Sequence, residues 1–173
     1  MSLIVVDVEA DGACPGLFSM VCFGAVEVKK GLKNTFYGET EPISRKWNIG
    51  ALEVSGFTRK EHEKFPNPSL AMDGFAKWLK NTEGNPVFIS DNPAFDWQWI
   101  NYYFHYYHGH NPFGFSARRI GDIYAGLTKN ARNSSKWKKF RKTKHTHHPV
   151  DDAMGNAQAL LKIQELGVKN ICR

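Results

Sequence analysis

The chain has 173 residues, of which 42% are hydrophobic and 23% charged, and its formal net charge is +6. This length predicts one globular domain over residues 1–173, with enough chain to bury a substantial core. No apolar run approaches the ~20 residues that span a bilayer, and the first residues lack the features of a secretory signal, so we expect a soluble cytoplasmic protein with no membrane contact.

The predicted elements begin with strands and continue with alternating helices and strands. Short β-branched or apolar runs predict strands over residues 3–8, 19–28 and 35–40. Farther along, helical spacing of apolar residues and one short apolar run predict a helix over 69–81, a strand over 87–90, a helix over 94–107 and a final amphipathic helix over 151–166. This order predicts an α/β protein with a mixed sheet and helices packed on it.

Cysteines and aromatic residues add little to the functional prediction. Cys14, Cys22 and Cys172 are odd in number and show no CxxC spacing, which predicts free thiols and neither a disulfide framework nor a zinc knuckle. Trp97, Trp99 and the aromatic run 102–107 are interpreted as packing residues or as a dimer surface.

Positive charge is concentrated in residues 129–148, which we call the basic segment. It contains eight Lys or Arg and no acid, so the remainder of the +6 chain carries a formal −2. With Trp137 and Phe140 interleaved, the segment can neutralise phosphates and stack a base. A solvated surface loop is the alternative.

The first candidate motif is Asp7-Val8-Glu9, at the end of the first predicted strand. Residues two apart on a strand share a face, so both carboxylates project together while Val8 points into apolar packing. Paired carboxylate oxygens suit Mg²⁺ or Mn²⁺. Gly12 then allows the backbone to turn close to whatever binds there. A strand end with two solvated acids is the alternative.

The second motif runs from Asn92 to Asp96, between an apolar strand and a helix. It places Asp96 in the first helical turn, near the first two acids, although Asp91 or Asn92 as an ordinary N-cap explains the same pattern.

The third motif pairs His147 with Asp152, five residues later at the start of the last helix. The ordinary imidazole pKa, near 6.5, suits a general base at neutral pH. His145 and His148 are interpreted as bystanders. A His-rich basic loop capped by Asp151, or adventitious Zn²⁺ binding, stays open.

Taken together, DVEADG, NPAFD and HHPVDDA resemble in order and span the three motifs of the DnaQ-like, or DEDDh, 3′-to-5′ exonucleases. Two further stretches resemble the same family: residues 51–58 look like the segment near the terminal nucleotide, and 119–122 like the stretch between the second and third motifs. The resemblance implies an RNase H-like fold, a five-stranded mixed sheet flanked by helices.

The resemblance also implies the site. Two divalent ions, Mg²⁺ or Mn²⁺, would be held by Asp7, Glu9, Asp96 and Asp152, with His147 as the general base. They would hydrolyse single-stranded RNA or DNA from its 3′ end to 5′-mononucleotides.

Substrate handling is less fully specified. Ala10 stands where relatives often have Thr, and Asp91 where they often have His, which leaves backbone N–H groups near Ala10 and Gly12 to contact the terminal 3′-OH. Asn92 is a further candidate for substrate binding. The residues predicted to sandwich the terminal base are Leu17, Phe18 and Val54, each of which could instead be core.

Three functions are consistent with these features. The first is an exonuclease on single-stranded 3′ ends, with RNA somewhat preferred because small stand-alone relatives resemble exoribonucleases. The second is a DNA-directed proofreading or repair exonuclease, and the third is a degenerate nucleic-acid-binding module, which the intact acid set disfavours. Relatives acting on RNA are commonly homodimers, so a homodimer is expected.

Overall fold

A five-stranded mixed sheet forms the centre of the computed structural model, which describes residues 1–167. In spatial order β3-β2-β1-β4-β5, the strands are β3 (Thr35–Glu39), β2 (Met20–Glu27), β1 (Ser2–Ala10), β4 (Pro86–Ser90) and β5 (Ala117–Arg119). β1 is antiparallel to β2 and parallel to β4, and β5 is parallel to β4. The predicted five-stranded mixed sheet is confirmed.

Helices cover both faces of this sheet. They are α1 (Ile49–Val54), α2 (Arg59–His62), α3 (Pro68–Lys80), α4 (Pro93–Tyr107), α5 (Ile120–Leu127) and α6 (Pro149–Glu165), with 3₁₀ turns over Ala131–Asn133 and Lys136–Phe140. No described helix is long and apolar enough to cross a membrane.

Alternation along β1 divides the core into two layers. Ile4, Val6 and Val8 pack on one face among the aromatic residues of α3 and α4. Leu3 and Val5 pack on the other face, with α5 and α6. Successive side chains of a strand point to opposite faces of the sheet, so Asp7 and Glu9 lie on the same face as Leu3 and Val5, which is the face covered by α6.

The predicted helices and strands agree with the structure within a residue or two, and the structure adds further elements. α1 and α2 were not predicted as helices, and β5 with α5 was indicated only by the resemblance of residues 119–122. Cys22 is buried and Cys14 partly buried, both as free thiols, while Cys172 lies outside the described residues.

Candidate active site

β1 extends beyond the end of β4, its parallel neighbour, and the candidate site lies along the part of β1 that has no β4 partner. β4 pairs with β1 only from Ser2 to Val5, after which the chain leaves the sheet and enters α4. Beyond this point the N–H of Val8 has no β4 partner, and it donates instead to Asp96 Oδ1 at 3.1 Å. The third acid is thereby fixed beside the first two, at the carboxyl end of the parallel strands where ligands commonly bind in open α/β sheets.

A glycine on β2 brings the last helix close to the same place. Gly24 pairs directly with Asp7, and a Cβ added at Gly24 would lie 2.4 Å from the backbone nitrogen of Val150 and 2.5 Å from the carbonyl carbon of Pro149. Only a residue without a side chain permits this approach. The first turn of α6, which carries Asp152, is therefore seated over Asp7.

Carboxylates of Asp7, Glu9 and Asp152 meet here, each offering an oxygen within 4.8 Å of the others. Asp152 is almost fully buried and Glu9 nearly so. Burial first, and then the charges of Asp96, Asp152 and Glu9, raise the pKa of Asp7 well above its ordinary value. Such crowding of hard, anionic oxygen ligands fits a divalent cation, whose charge would offset the repulsion.

Burial also raises the pKa values of two neighbouring acids. Burial, followed by Asp152 and Asp96, raises the pKa of Glu9 to about 7. Asp96 is 5% exposed, and burial raises its pKa to about 7. Mutually shifted acids in one cluster are typical of functional sites.

The loop before α6 brings two histidines to these acids, one more than the sequence analysis predicted. His147 Nδ1 lies 3.5 Å from Glu9 Oε1, while its backbone N–H donates to Asp152 Oδ2 at 3.0 Å. His145 Nδ1 lies 2.5 Å from the same Oδ2 atom. The interpretation of His145 as a bystander did not include this direct contact with a candidate metal ligand. His148, by contrast, stacks on Tyr37 with ring centroids 5.2 Å apart and lies outside the cluster.

Backbone conformation at His147 is unusual, with φ at 62° in the left-handed region. A non-glycine residue rarely adopts this conformation, and such strain is concentrated at functional sites. The acid contacts of this loop offset the strain.

Three of the predicted substrate-binding residues, Val54, Leu17 and Asn92, are exposed and therefore accessible to a ligand. Val54, at the end of α1, is 45% exposed and lines a cavity of about 130 Å³ together with His147 and His148. Leu17 is 46% exposed. Asn92 is exposed at the N-cap of α4 and its side chain makes no capping hydrogen bond, so the ordinary N-cap interpretation does not account for it.

Three other candidates have a more restricted role. Ala10 is 4% exposed, so it offers little surface to a ligand. The ring of Phe18 occupies the space beside Gly12, where an added Cβ would lie 2.1 Å from Phe18 Cγ. The close approach predicted at Gly12 is thus made by the chain's own phenylalanine, which is partly buried against the core.

Sequence reasoning missed the contacts that fix α1 and α2 beside the site. Asp11 is fully buried and accepts hydrogen bonds from the Ser19 N–H at 2.6 Å and from Arg59 Nη1 at 3.0 Å. Arg59 Nη2 also donates to the Ser44 carbonyl, and its guanidinium lies over the Trp47 ring. Asp11 is part of the first motif, but no local pattern indicates its partner, which lies 48 residues away.

The basic segment is partly structural. Trp137 is fully buried, so the prediction that it stacks a base is wrong, and Phe140 packs edge-on against Tyr124. Lys138 pairs with Asp91 at 2.6 Å, and Arg141 pairs with Asp152 at 2.8 Å. The other six cations of the segment are all exposed: Lys129, Arg132, Lys136, Lys139, Lys142 and Lys144.

Comparison with known proteins identifies the family. No family model matches the chain. A 3′-5′ DNA exonuclease from Escherichia coli, Cap18, is 33% identical over 175 residues, which cover 96% of this chain and 93% of Cap18. The chain belongs to the DnaQ-like 3′-to-5′ exonucleases.

Solved structures of DEDDh exonucleases share the fold of this family member. The nuclease domain of 3′hExo, bound to rAMP, gives a TM-score of 0.76 at 16% identity, covering 96% of this chain and 92% of that one. Escherichia coli Exonuclease I in complex with a dT13 oligonucleotide gives a TM-score of 0.70 at 14% identity. That match covers 95% of this chain and 41% of the longer Exonuclease I chain. The predicted RNase H-like fold and the enzyme class, 3′-to-5′ exonuclease, are confirmed.

Proposed function

We propose that residues 1–173 act as one exonuclease domain that removes nucleotides from the 3′ ends of single-stranded DNA, releasing 5′-mononucleotides. The observation that carries this proposal is the gathering of Asp7, Glu9 and Asp152 oxygens within 4.8 Å beside His147, in a member of the exonuclease family. DNA is chosen because it is the substrate that the name of the 33%-identical relative gives.

Asp7, Glu9, Asp96 and Asp152 would hold two divalent ions, Mg²⁺ or Mn²⁺. The ions would supply Lewis-acid activation of the attacking water and stabilise charge on the leaving 3′ oxygen. The donor set supports this assignment, since buried carboxylates with raised pKa values are poorly stabilised as anions without a cation. Asp96 accepts the Val8 N–H and is the one acid of these four that lies on α4, so it would serve the second ion.

His147 is the proposed general base. Its imidazole lies at the acid cluster, with Nδ1 3.5 Å from Glu9 Oε1, and it is half exposed, so a water proton can pass from the cluster to the ring and on to solvent. The phosphodiester bond then breaks between phosphorus and the 3′ oxygen of the preceding nucleotide, which takes up a proton, and the released nucleotide keeps a 5′-phosphate.

Substrate contacts would come from the walls of the site. Val54 and Leu17 offer exposed apolar surface for the terminal base, and Asn92 an unbonded amide for the phosphate or sugar. Ala10 and Gly12 would contribute backbone groups, and Phe18 would support the base from behind by fixing the turn at Gly12. The exposed lysines and Arg132 of the basic segment would neutralise backbone phosphates. Affinity for nucleic acid would then fall with added salt.

RNA is the second candidate substrate, and the sequence analysis somewhat favours it. Ala10 carries no hydroxyl to interact with the terminal sugar, so the described contacts favour neither polymer. The two substrates are therefore distinguished by experiment.

The deciding experiment is degradation of matched 5′-labelled single-stranded DNA and RNA in Mg²⁺ or Mn²⁺, with EDTA and Asp7→Asn as controls. We expect a metal-dependent ladder that shortens from the 3′ end, with DNA the faster substrate. Faster RNA degradation would move the assignment to an exoribonuclease. No cleavage of either polymer, with binding intact, would contradict the proposed activity.

A homodimer that shares its basic surface is proposed from the family resemblance. The exposed Lys136, Lys139 and Lys142 would then contact the strand bound to the other subunit. Light scattering during size-exclusion chromatography measures the mass, and a monomer would contradict the dimer. A mixed dimer of an Asp7→Asn subunit and a subunit lacking the three lysines then tests sharing, since restored activity requires contact in trans.

A further inference from the structure

Arg141 brings a permanent positive charge into contact with the acid cluster. Its Nη2 atom donates to Asp152 Oδ1 at 2.8 Å, and the two side chains are 12% and 1% exposed. Charge-assisted hydrogen bonds of this kind are short and directional. Arg141 also lowers the pKa of Asp7, opposing burial and the three neighbouring carboxylates, which raise it.

The space for this guanidinium is created by a glycine on α6. Gly155 follows Asp152 by one helical turn, and a Cβ there would lie 2.6 Å from Arg141 Nε and 2.9 Å from both Arg141 Nη2 and the Thr143 carbonyl oxygen. Glycine in a helix interior costs about 0.5–1 kcal/mol relative to alanine, so its presence against Arg141 has a compensating packing reason.

Contacts on both sides of Arg141 fix its backbone to α6. Trp137, four residues earlier, is fully buried in the core layer that contains α6. On the other side, Gln158 Oε1 accepts the N–H groups of Lys142 at 3.0 Å and Thr143 at 2.9 Å, and Gln158 Nε2 donates to Thr143 Oγ1. Arg141 is thus pre-positioned on the helix that carries its partner.

Asp152 receives four donors, and they differ in how easily each can be displaced. Oδ1 accepts Arg141 and, at 3.3 Å, the Thr146 N–H; Oδ2 accepts His145 and the His147 N–H. A carboxylate offers about four lone-pair sites, so a metal ion must displace a donor to bind this one. The His145 side chain is 57% exposed and its loop is built from exposed residues, whereas the Arg141 side chain is 12% exposed and backed by Gly155.

We propose that Arg141 is a positioning residue of the metal site: it holds Asp152 by Oδ1 and so presents Oδ2 to a divalent ion that displaces His145. The inference rests on the proposed function in one respect, that Asp152 binds a divalent metal. It assigns a role to a residue of the basic segment that contacts neither nucleic acid nor the reacting atoms.

The test is titration of the whole protein with Mn²⁺ alone, by isothermal calorimetry without nucleic acid, for wild type, Arg141→Met and Arg141→Lys. Loss of a residue that orients a metal ligand typically weakens metal binding about 10- to 100-fold, so we expect at least about a tenfold rise in Kd for Arg141→Met. Arg141→Lys keeps the charge but not the planar fork, and we expect it to recover part of the affinity.

Gln158→Ala is the matched control, because it breaks the attachment of residues 142 and 143 to α6 and leaves the Arg141–Asp152 bond. We expect a lower unfolding midpoint but a much smaller loss of Mn²⁺ affinity than in Arg141→Met, because Trp137 and Gly155 still hold the guanidinium at Asp152. Gly155→Ala is the second probe if Arg141→Met fails to fold: it keeps the arginine yet pushes its guanidinium from Asp152, and we expect weaker Mn²⁺ binding.

Unchanged or tighter Mn²⁺ binding by Arg141→Met and Gly155→Ala would overturn the proposal, as would an equal loss in Gln158→Ala. A wild-type protein that binds Mn²⁺ yet degrades neither polymer would overturn the proposed activity alone. A wild-type protein that binds no Mn²⁺ would overturn both.

Discussion

Two glutamates lie buried at opposite ends of the β1–β2 pair, and their carboxylates have contrasting surroundings. Glu27 accepts hydrogen bonds from Ser2 Oγ and Asn34 Nδ2, both at 2.7 Å, and pairs with Lys29 at 2.9 Å. These partners outweigh the effect of burial and lower the pKa of Glu27 to about 2. Around Glu9, burial and the nearby acids raise the pKa to about 7.

The difference separates a structural carboxylate from one in the candidate active site. Both side chains are largely buried, at 1% and 11% exposure, so burial alone does not distinguish them. Glu27 has its donors within the fold, whereas Glu9 lies among other acids, whose repulsion a proton or a bound cation would offset.

Removing one acid from each end should separate activity from stability. We expect Asp7→Asn to lower exonuclease activity by more than about a thousandfold, the upper end of the loss from one electrostatic contact. In EDTA its unfolding midpoint should equal or exceed that of wild type, because one repelling charge is removed. Nucleotide release and thermal unfolding measure the two effects.

Glu27→Gln is the matched variant at the other end of the strand pair. It loses a charge-assisted network, so we expect about 1.5–3 kcal/mol of destabilisation with normal activity per folded molecule. A strongly destabilised Asp7→Asn, or an inactive but stable Glu27→Gln, would contradict the contrast.

The two histidines at the acid cluster provide the next test. We expect His147→Ala to lower kcat by about a hundredfold or more, the usual contribution of a general base, while Mn²⁺ binding is retained. His145→Ala is the matched control and should change kcat far less, because the contact of His145 with Asp152 is proposed to give way to metal. The reverse order of effects would assign the base to His145.

Gly24→Ala tests how the fold positions the site. An added methyl group meets the backbone of Pro149 and Val150, so α6 must move away from β1. Overpacking of this kind typically costs about 1–3 kcal/mol, and we expect weaker Mn²⁺ binding in addition because Asp152 moves with α6. Gly126→Ala, in open space on α5, is the control: it should leave Mn²⁺ binding unchanged and should not lower stability.

The elements that the sequence predicted well carry strong local patterns. Apolar periodicity predicts β1, α3, α4 and α6 within a residue or two, since burial of one face determines each of them. The three acidic motifs follow from residue type and spacing, and the structure brings Asp7, Glu9 and Asp152 together as predicted.

What the sequence did not predict depends on contacts between distant residues. The Arg59–Asp11 pair spans 48 residues, and Arg141 is one cation among eight in the basic segment. Trp137 was interpreted as a stacking residue because its neighbours are charged, and only the packing of α5 and α6 shows that it is core. The need for glycine at position 24 cannot be seen in the sequence of β2, because it comes from the close approach of α6.

The pH dependence of stability gives the smallest effect and separates the two glutamates directly. The raised pKa of Glu9 means that the folded protein retains a proton that the unfolded chain, with its ordinary pKa near 4.5, releases. Folding stability therefore falls as pH rises from about 4.5 to about 7. The lowered pKa of Glu27 acts with the opposite sign: its contribution is complete above its ordinary pKa and is lost as pH falls toward about 2.

In EDTA we expect the unfolding midpoint of wild type to decrease between about pH 5 and pH 8, with a smaller decrease in Glu9→Gln, because glutamine cannot titrate. The unfolding midpoint of Glu27→Gln should decrease as steeply as that of wild type over that range. The two midpoints should converge only in acid. Saturating Mn²⁺ should flatten the wild-type curve, since a bound cation replaces the proton. Parallel curves for wild type and Glu9→Gln would show that Glu9 does not carry the raised pKa, and would remove the electrostatic reason for placing a metal at this end of β1.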